Sequence, residues 1–395
     1  MKIVEKEKRI TELDGLRGIA ILQVLIWHYA VGPISPQLMP PMLHKLLGLT
    51  WSGVDLFFVL SGFLLGGILI DNKDSINLFK VFYIRRCCRI LPLYFLWILL
   101  FAVIVYIIKE VAYEYPYFLL FDLKLYHTIG LGHYITFTQN FIMALNHDWG
   151  NQWFGITWSL AVEEQFYLAL PLIIFLTPRR GLPYILLFFI LLAPALRTFL
   201  FFQLPLPNGV FWGFFSMPCR CDSLLLGALC ALLLRNIRFK QFIHRQILTI
   251  YAIAGVLLTV LLVMDFKGEG VCTAQMTWYG YSLLALFYSC LLIIAVSEKR
   301  GLLTAIVRNS WLGQLGIISY GVYIFHQAIQ ILVHAYFFHN EPEITQLPTA
   351  FATIFALFLT IVLAWLSWQF FEKSIVQWGH NWKYKKNSLT HLQDT

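Results

Sequence analysis

TELDGLRGIAILQVLIWHYAVG occupies residues 11–32, and its reading sets the fold class. From Leu13 to Gly32 it has the length, about twenty residues, that crosses about 30 Å of hydrocarbon. The internal charges Asp14 and Arg17, and the lack of a small-residue cleavage site, argue against a cleaved signal peptide. Arg17 and His28 are eleven residues apart. At 3.6 residues per turn they share one helix face, about 16 Å apart along the axis. That face joins an anion-binding guanidinium to a titratable imidazole.

Working outward, ten such segments are expected, at roughly 13–32, 51–70, 91–108, 158–177, 182–201, 216–235, 247–265, 279–297, 312–337 and 350–371. The chain of 395 residues is 59% hydrophobic and 13% charged, with a mean hydropathy of +0.70. Soluble domains are about 45–50% apolar and about 25% charged, so a soluble globular fold is excluded. A membrane β-barrel is excluded too, because its strands alternate every second residue. The expectation is an all-α polytopic membrane bundle of about ten helices. It forms a single domain over 1–378, followed by a short tail over 379–395. No repeat, low-complexity tract or soluble domain is evident.

The basic residues test this count, since positive charge favours the cytoplasmic loops. Lys6, Lys8 and Arg9 precede the first segment, and Lys80, Arg85, Arg86 and Arg89 lie between the second and third. Arg179 and Arg180, then Arg235, Arg238, Lys240 and Arg245, then Lys299, Arg300 and Arg308 fall in every second loop, and Lys383, Lys385 and Lys386 follow the last segment. All land on one side, so both termini are expected in the cytoplasm. The net charge of +8 is thereby explained by membrane orientation, not by nucleic acid, which needs a basic patch on one domain. The loop 109–157, with Tyr113, Tyr115, Tyr117, His127, His133 and His147, is long enough for a re-entrant or interfacial helix over 117–144. The seven cysteines show no paired zinc spacing, and no metal site is expected.

Charges in hydrocarbon are costly and mark functional sites by default. The candidates are Asp14, Arg17, Asp55, Glu163, Glu164, Arg197, Arg220 and Asp222, with His28, His326 and His334. The plain alternative is that Arg220 and Asp222 form buried pairs between helices and that Arg197 snorkels. Glu163 and Glu164 are adjacent, about 100° apart on a helix, so at most one faces a given site squarely. Their expected depth matches that of His28, and a carboxylate there can orient an imidazole. Asp55 enters from the same side and can do the same. Arg86 and Arg89 are three apart and share a face if helical; they suit phosphate or serve only as topology determinants. Tyr320, Tyr323 and His326, spaced by three, form a polar stripe or a packing stripe. Glu372 sits at the cytoplasmic rim, where a helix-end ion pair is the simple reading.

Taken together these residues resemble the acyltransferase-3 family of integral-membrane O-acyltransferases. Leu13-Asp14-Gly15-Leu16-Arg17-Gly18 with Arg17-x10-His28 is similar to its opening signature. Gly53-Val54-Asp55-Leu56-Phe57-Phe58-Val59-Leu60-Ser61-Gly62-Phe63 resembles the second-helix motif, and Arg86-x-x-Arg89-Ile90-Leu91-Pro92 the Arg-x-x-Arg motif. Trp158 to Tyr167 and Ile318 to His326 are similar to two further motifs, and Phe371-Glu372-Lys373-Ser374 to the closing one, with Ser374 where proline is usual. The motifs run in order from Thr11 to Lys373, and the chain looks like the form without an attached extracytoplasmic domain.

The resemblance implies transfer of an acyl group, usually acetyl from acetyl-CoA, to a hydroxyl of a cell-surface carbohydrate or lipid-linked glycan, in the bacterial cytoplasmic membrane. Acyl-CoA is then a co-substrate, with no permanently bound cofactor and membrane lipids as surroundings. Arg17, Arg86 and Arg89 would hold the donor. His28 would act as general base or as acyl-carrying nucleophile. Glu163 or Glu164 would orient His28, and Tyr320, Tyr323 or His326 would donate to the oxyanion. Asp14, Asp55, Ser61 and Glu372 are further candidates within the motifs. A different class also fits intramembrane histidines and carboxylates: a proton-coupled transporter or flippase of an amphiphilic solute. Pro171, Pro194 and Pro218 would then break spans.

Overall fold

The computed structural model describes residues 10–35, 37–112 and 129–385, with side chains of 108–112 left aside. Lys6, Lys8, Arg9, Tyr113, Tyr115, Tyr117, His127 and Lys386 lie outside the described residues. Ten long helices carry the architecture: α1 (Thr11–Ile26), α2 (Gly53–Asp71), α3 (Leu78–Ala112), α4 (Trp158–Leu176), α5 (Leu182–Gln203), α6 (Met217–Leu233), α7 (Ile247–Phe266), α8 (Tyr281–Ser297), α9 (Ser319–Phe338) and α10 (Leu347–Ser367). Among the described residues no strand forms, and Ile34 makes an isolated bridge with Ile344. An all-helical bundle is what hydrocarbon demands, since each helix satisfies its own backbone polar groups.

Eight helical segments among the described residues are long and apolar enough to cross a membrane, or nine if the bent pair Ser310–Ile317 and α9 counts as one span. The expected ten is thus reduced by that measure. The segment left out is α1, whose 16 residues include Glu12, Asp14 and Arg17. It nevertheless runs from one end of the bundle to the other. Glu12 pairs with Arg308 at 2.6 Å, while Ile34, just beyond the helix, bridges Ile344 at the opposite end. Arg235 with Asp71 at 2.5 Å and Arg179 with Asp74 at 2.6 Å, together with Arg85 on the Trp382 carbonyl at 2.9 Å, gather the basic clusters onto the Arg308 end.

Three details depart from the sequence expectation. Arg86 and Arg89 lie inside α3, not in a loop before it, because the helix starts at Leu78. Pro171 and Pro194 sit within continuous helices and Pro218 near the start of α6, so none of them breaks a span. The described part of 117–144 falls in two short helices, Leu131–Ile135 and Gln139–Asn146, in place of one helix.

Small residues set how closely the helices approach. The α2–α6 contact is the most extensive in the bundle. A side chain on Gly62 would collide with the Leu224 carbonyl, and one on Gly227 with the Val59 carbonyl. The same contact is pinned by charge. Asp55 of α2 pairs with Arg220 of α6 at 2.6 Å, both about 1% exposed. Arg197 of α5 pairs with Asp222 at 2.9 Å and also donates to the Thr277 carbonyl and to Ser282 Oγ. Ser282 in turn donates to Asp222 at 2.7 Å, and the Tyr281 ring lies 4.0 Å from the Arg220 guanidinium. Arg197 therefore does not snorkel, and Asp55 is committed to Arg220 and unavailable to His28.

This network predicts a sharp stability asymmetry. Asp55→Leu alone leaves Arg220 buried without a counter-charge and should cost about 3–5 kcal/mol, whereas Asp55→Leu with Arg220→Met should recover most of it. Thermal melting of the purified protein checks this; equal melting temperatures for the single and double variants would refute it.

Candidate active site

Two cavities lie in series within the bundle. The first, of about 130 Å³, is lined by Arg17, Ser61, Arg86, Arg89, Glu163 and Tyr167 among others. The second, of about 490 Å³, is lined by His28, Trp51, Trp149, Trp158 and Gln327 among others. Val54 and Tyr323 line both, so they form the common wall.

The arginine chamber is assembled by α1, α2, α3, α4 and α9. Arg86 and Arg89, one turn apart on α3, both face it. Arg89 pairs with Glu372 at 3.7 Å and lies over the rings of Trp368 and Tyr320, at 5.2 and 5.7 Å. Glu372 belongs to a five-residue π turn, Trp368–Glu372, and accepts from Ser367 Oγ at 3.0 Å. It is buried and reaches across to α3, so the simple helix-end pair is not its role. Arg17 pairs with Asp14 of its own helix at 3.4 Å. Among the described residues no carboxylate is within ion-pair distance of Arg86. Ser61 and Tyr167 share a hydrogen bond of 2.5 Å, and Glu163 is surrounded by those two hydroxyls with Arg86 and Arg17 beyond. Glu164 does not line this chamber, and its Oε1 is buried without a hydrogen-bond partner among the described residues.

His28 occupies the other chamber by a change of helix type. After Ile26 the chain widens into a π turn, Trp27–Val31. Such turns recur at functional sites, and this one breaks the uniform 3.6-residue spacing on which the shared Arg17–His28 face was reckoned. The two residues line successive chambers. Beside His28 stands His326, ring centroids 4.9 Å apart and edge to face. His326 Nδ1 is 2.7 Å from the Tyr323 carbonyl. A carbonyl only accepts, so Nδ1 carries the proton and Nε2 keeps a lone pair. That Nε2 has no hydrogen-bond partner among the described residues. Tyr29 locks this arrangement by donating to the His326 carbonyl at 2.7 Å.

The expectation that Glu163 or Glu164 orients His28 is therefore corrected: neither lines its chamber. The reason is depth. The chain over 149–158 already forms the wall beside His28, so α4 starts below the rim and its sixth residue, Glu163, reaches the arginine chamber instead. The oxyanion-donor expectation is also corrected for the tyrosines. The Tyr320 hydroxyl donates to the Ile90 carbonyl at 2.8 Å, and the Tyr323 hydroxyl to the Ile156 carbonyl at 2.7 Å. Tyr167, four residues after Glu163 on the same face, and Gln327, next to His326, were not singled out from sequence. The i,i+4 spacing was the available signal for the former. Among the described residues no cluster of metal-ligating side chains is found.

The fold and these chambers define a polytopic α-helical membrane protein with a cationic intramembrane cavity leading to a histidine pair. The chain belongs to the acyltransferase-3 family, whose model, described as an acyltransferase domain, matches residues 10–369. It is 28% identical over 390 residues to the peptidoglycan O-acetyltransferase OatA of Listeria monocytogenes, covering 93% of this chain and 56% of the relative. It is also 28% identical over 385 residues to the O-acetyltransferase OatA of Staphylococcus aureus, covering 93% of this chain and 57% of the relative. The chain thus spans just over half the length of the curated relatives it matches. No solved structure matches it.

The tautomer assignment is testable. Solid-state NMR of ¹⁵N-histidine-labelled protein, differenced against His326→Gln, should show one neutral ring protonated at Nδ1 and bare at Nε2. A difference signal from an Nε2-protonated ring would remove the Tyr323 carbonyl bond from the site.

Proposed function

We propose that this chain is a membrane O-acyltransferase that moves an acetyl group from acetyl-CoA to a hydroxyl of a cell-surface carbohydrate or lipid-linked glycan, in a bacterial cytoplasmic membrane. The observation that carries this reading is the pair of chambers in series, arginines at one end and His28 at the other, divided by Val54 and Tyr323. The matching relatives bear O-acetyltransferase names, one of them acting on peptidoglycan.

The basic end faces the cytoplasm by the positive-inside rule, where acetyl-CoA resides. Pockets for drug-sized molecules measure about 300–1,000 Å³. The arginine chamber, at about 130 Å³, suits the narrow pantetheine arm, with the nucleotide held at the rim. Arg86, which has no carboxylate within ion-pair distance among the described residues, is the first phosphate contact, and guanidinium forks suit that geometry. Arg89 and Arg17, held by Glu372 and Asp14, stay in place for the arm to pass.

Acyl transfer to an alcohol then balances within the outer chamber. His28 takes the proton of the acceptor hydroxyl as its oxygen attacks the thioester carbonyl. The carbon–sulfur bond breaks, and the protonated His28 returns the proton to the departing thiolate, leaving O-acetylated acceptor and CoA. His326 acts as a positioning residue by packing its ring edge to face against that of His28 at 4.9 Å, where a carboxylate was expected.

The test uses purified protein in nanodiscs with labelled acetyl-CoA and a glycan acceptor. His28→Ala should lower transfer by about 10²–10⁴-fold; transfer retained in that variant refutes the general-base role. Arg86→Ala with Arg89→Ala should raise the donor KM at least about tenfold; an unchanged donor KM would reduce these arginines to topology determinants. A carrier would consume no acetyl-CoA in either case.

A further inference from the structure

The short helix Ile237–Arg245 follows α6 at the basic end of the bundle. Its sequence, IRFKQFIHR, mixes apolar and cationic residues, and the transfer chemistry uses none of them. Asn236 starts the helix by accepting from the backbone N–H groups of Arg238 and Phe239, at 2.9 and 3.4 Å. Arg235, just before it, is tied to Asp71 of α2. That tie holds the helix at the rim that faces the cytoplasm by the positive-inside rule. Ile243 is the buried anchor. It packs with Ile250 of α7 and Ile294 of α8, and Phe239 lies against the same cluster.

The rest of the helix is turned outward. Arg238, Phe242 and Arg245 are spaced by four and then three residues, so they share one flank. Phe242 is 57% exposed and Ile237 65%. Arg238, Lys240 and Arg245 are exposed as well, and among the described residues none of the three has a carboxylate within ion-pair distance. Arg179, Arg235 and Arg308, at the same end of the bundle, are each paired with a carboxylate. Glu298, at the end of α8, is taken by the Tyr251 hydroxyl of α7 at 2.6 Å.

Open aromatic and aliphatic side chains beside uncommitted cations are the pattern of a helix lying in the plane of a bilayer interface. Its apolar residues then enter the headgroup boundary by about 5–10 Å, while arginine stems run along that surface with their heads at phosphate level. The cytoplasmic leaflet carries negative charge, and each basic residue near it gains about 1 kcal/mol. A free phosphate would answer the arginines and leave Phe242 and Ile237 in water. An anionic phospholipid answers both, through its headgroup and its acyl chains.

We infer that the helix Ile237–Arg245 is a docking surface for anionic phospholipid, in which Arg238 and Arg245 hold headgroup phosphate on either side of an inserted Phe242. Lys240, on the other flank, adds to the local positive field. The inference stands apart from the acyl-transfer reading, since no acyl donor or acceptor enters it.

The experiment titrates the purified full-length protein in detergent with phosphatidylglycerol or with phosphatidylcholine of the same acyl chains, and counts bound lipid by native mass spectrometry. The wild-type protein should bind phosphatidylglycerol about tenfold more tightly than phosphatidylcholine. Arg238→Gln with Arg245→Gln should bring the two lipids within about twofold of each other. Arg238→Lys with Arg245→Lys should keep the preference. Arg179→Gln with Arg180→Gln removes the same charge from another loop of the basic end and should also keep it. Phe242→Ser, which alters no charge, should weaken phosphatidylglycerol binding about fivefold, and it carries the test if the glutamine variant fails to fold. Equal affinity of the wild type for the two lipids overturns the docking surface, as does phosphatidylglycerol binding left intact in Phe242→Ser. A preference lost equally in the Arg179 and Arg180 variant would reduce it to net charge and overturn the site. Displacement of the lipid by millimolar inorganic phosphate would make it a free-anion site and overturn the lipid.

Discussion

An ionised side chain in hydrocarbon must find its counter-charge inside the protein, and that constraint organises the bundle. Asp55 with Arg220 and Arg197 with Asp222 meet it across α2, α5 and α6, with Ser282 of α8 completing the set. These four charges are spent on holding the helices together, with Asp55 Oδ2 and Arg220 Nε and Nη1 left without a hydrogen-bond partner among the described residues. The Gly62 and Gly227 contacts bring α2 and α6 close enough for the pairing to occur. Charge pairing and backbone approach are therefore one feature, and they hold α2 rigid where it supplies Val54, Asp55 and Ser61.

The charges left over form the arginine chamber, and they too are nearly balanced. Asp14 answers Arg17 and Glu372 answers Arg89, while Glu163 sits among Ser61 and Tyr167 with Arg86 within its field. A cavity with three guanidinium groups and no carboxylates would be prohibitively expensive when empty. One with matched carboxylates costs far less and still offers a positive face to an anion arriving from the rim.

Much of this was legible in the sequence. The ten apolar segments correspond one for one to α1–α10, and the residues that line the chambers come largely from the motifs that stood out. What was not legible was partner choice and depth. Arg220 and Asp222 are two apart on one helix, positions that do not face each other, so each had to find a partner elsewhere; which one depends on the approach of α2 and α5. Glu163 was misplaced because the depth of a span was counted from its first apolar residue, whereas the chain at 149–158 folds inward beside His28 before α4 begins. The π turn at Trp27–Val31 leaves no periodic mark over five residues, so a spacing argument assuming uniform α-helix could not register it.

The pairing of His28 with another imidazole follows from the same cost of charge. A carboxylate beside His28 would itself need a counter-charge, and the chamber that holds His28 supplies none: its walls are tryptophan, phenylalanine and aliphatic side chains with Tyr323 and one glutamine. His326 avoids that expense. Its Nδ1 proton is committed to the Tyr323 carbonyl, so it presents a lone pair without carrying charge. The His28 ring lines the chamber with the buried His326 ring packed behind it, and an uncharged pair rests there at little electrostatic cost. The segregation of arginines and carboxylates in one cavity and neutral imidazoles in the next is thus the arrangement that lets a polyanion and an apolar-walled reaction chamber share one membrane bundle, with Tyr323 fixed between them by its bonds to Ile156 and Ser159.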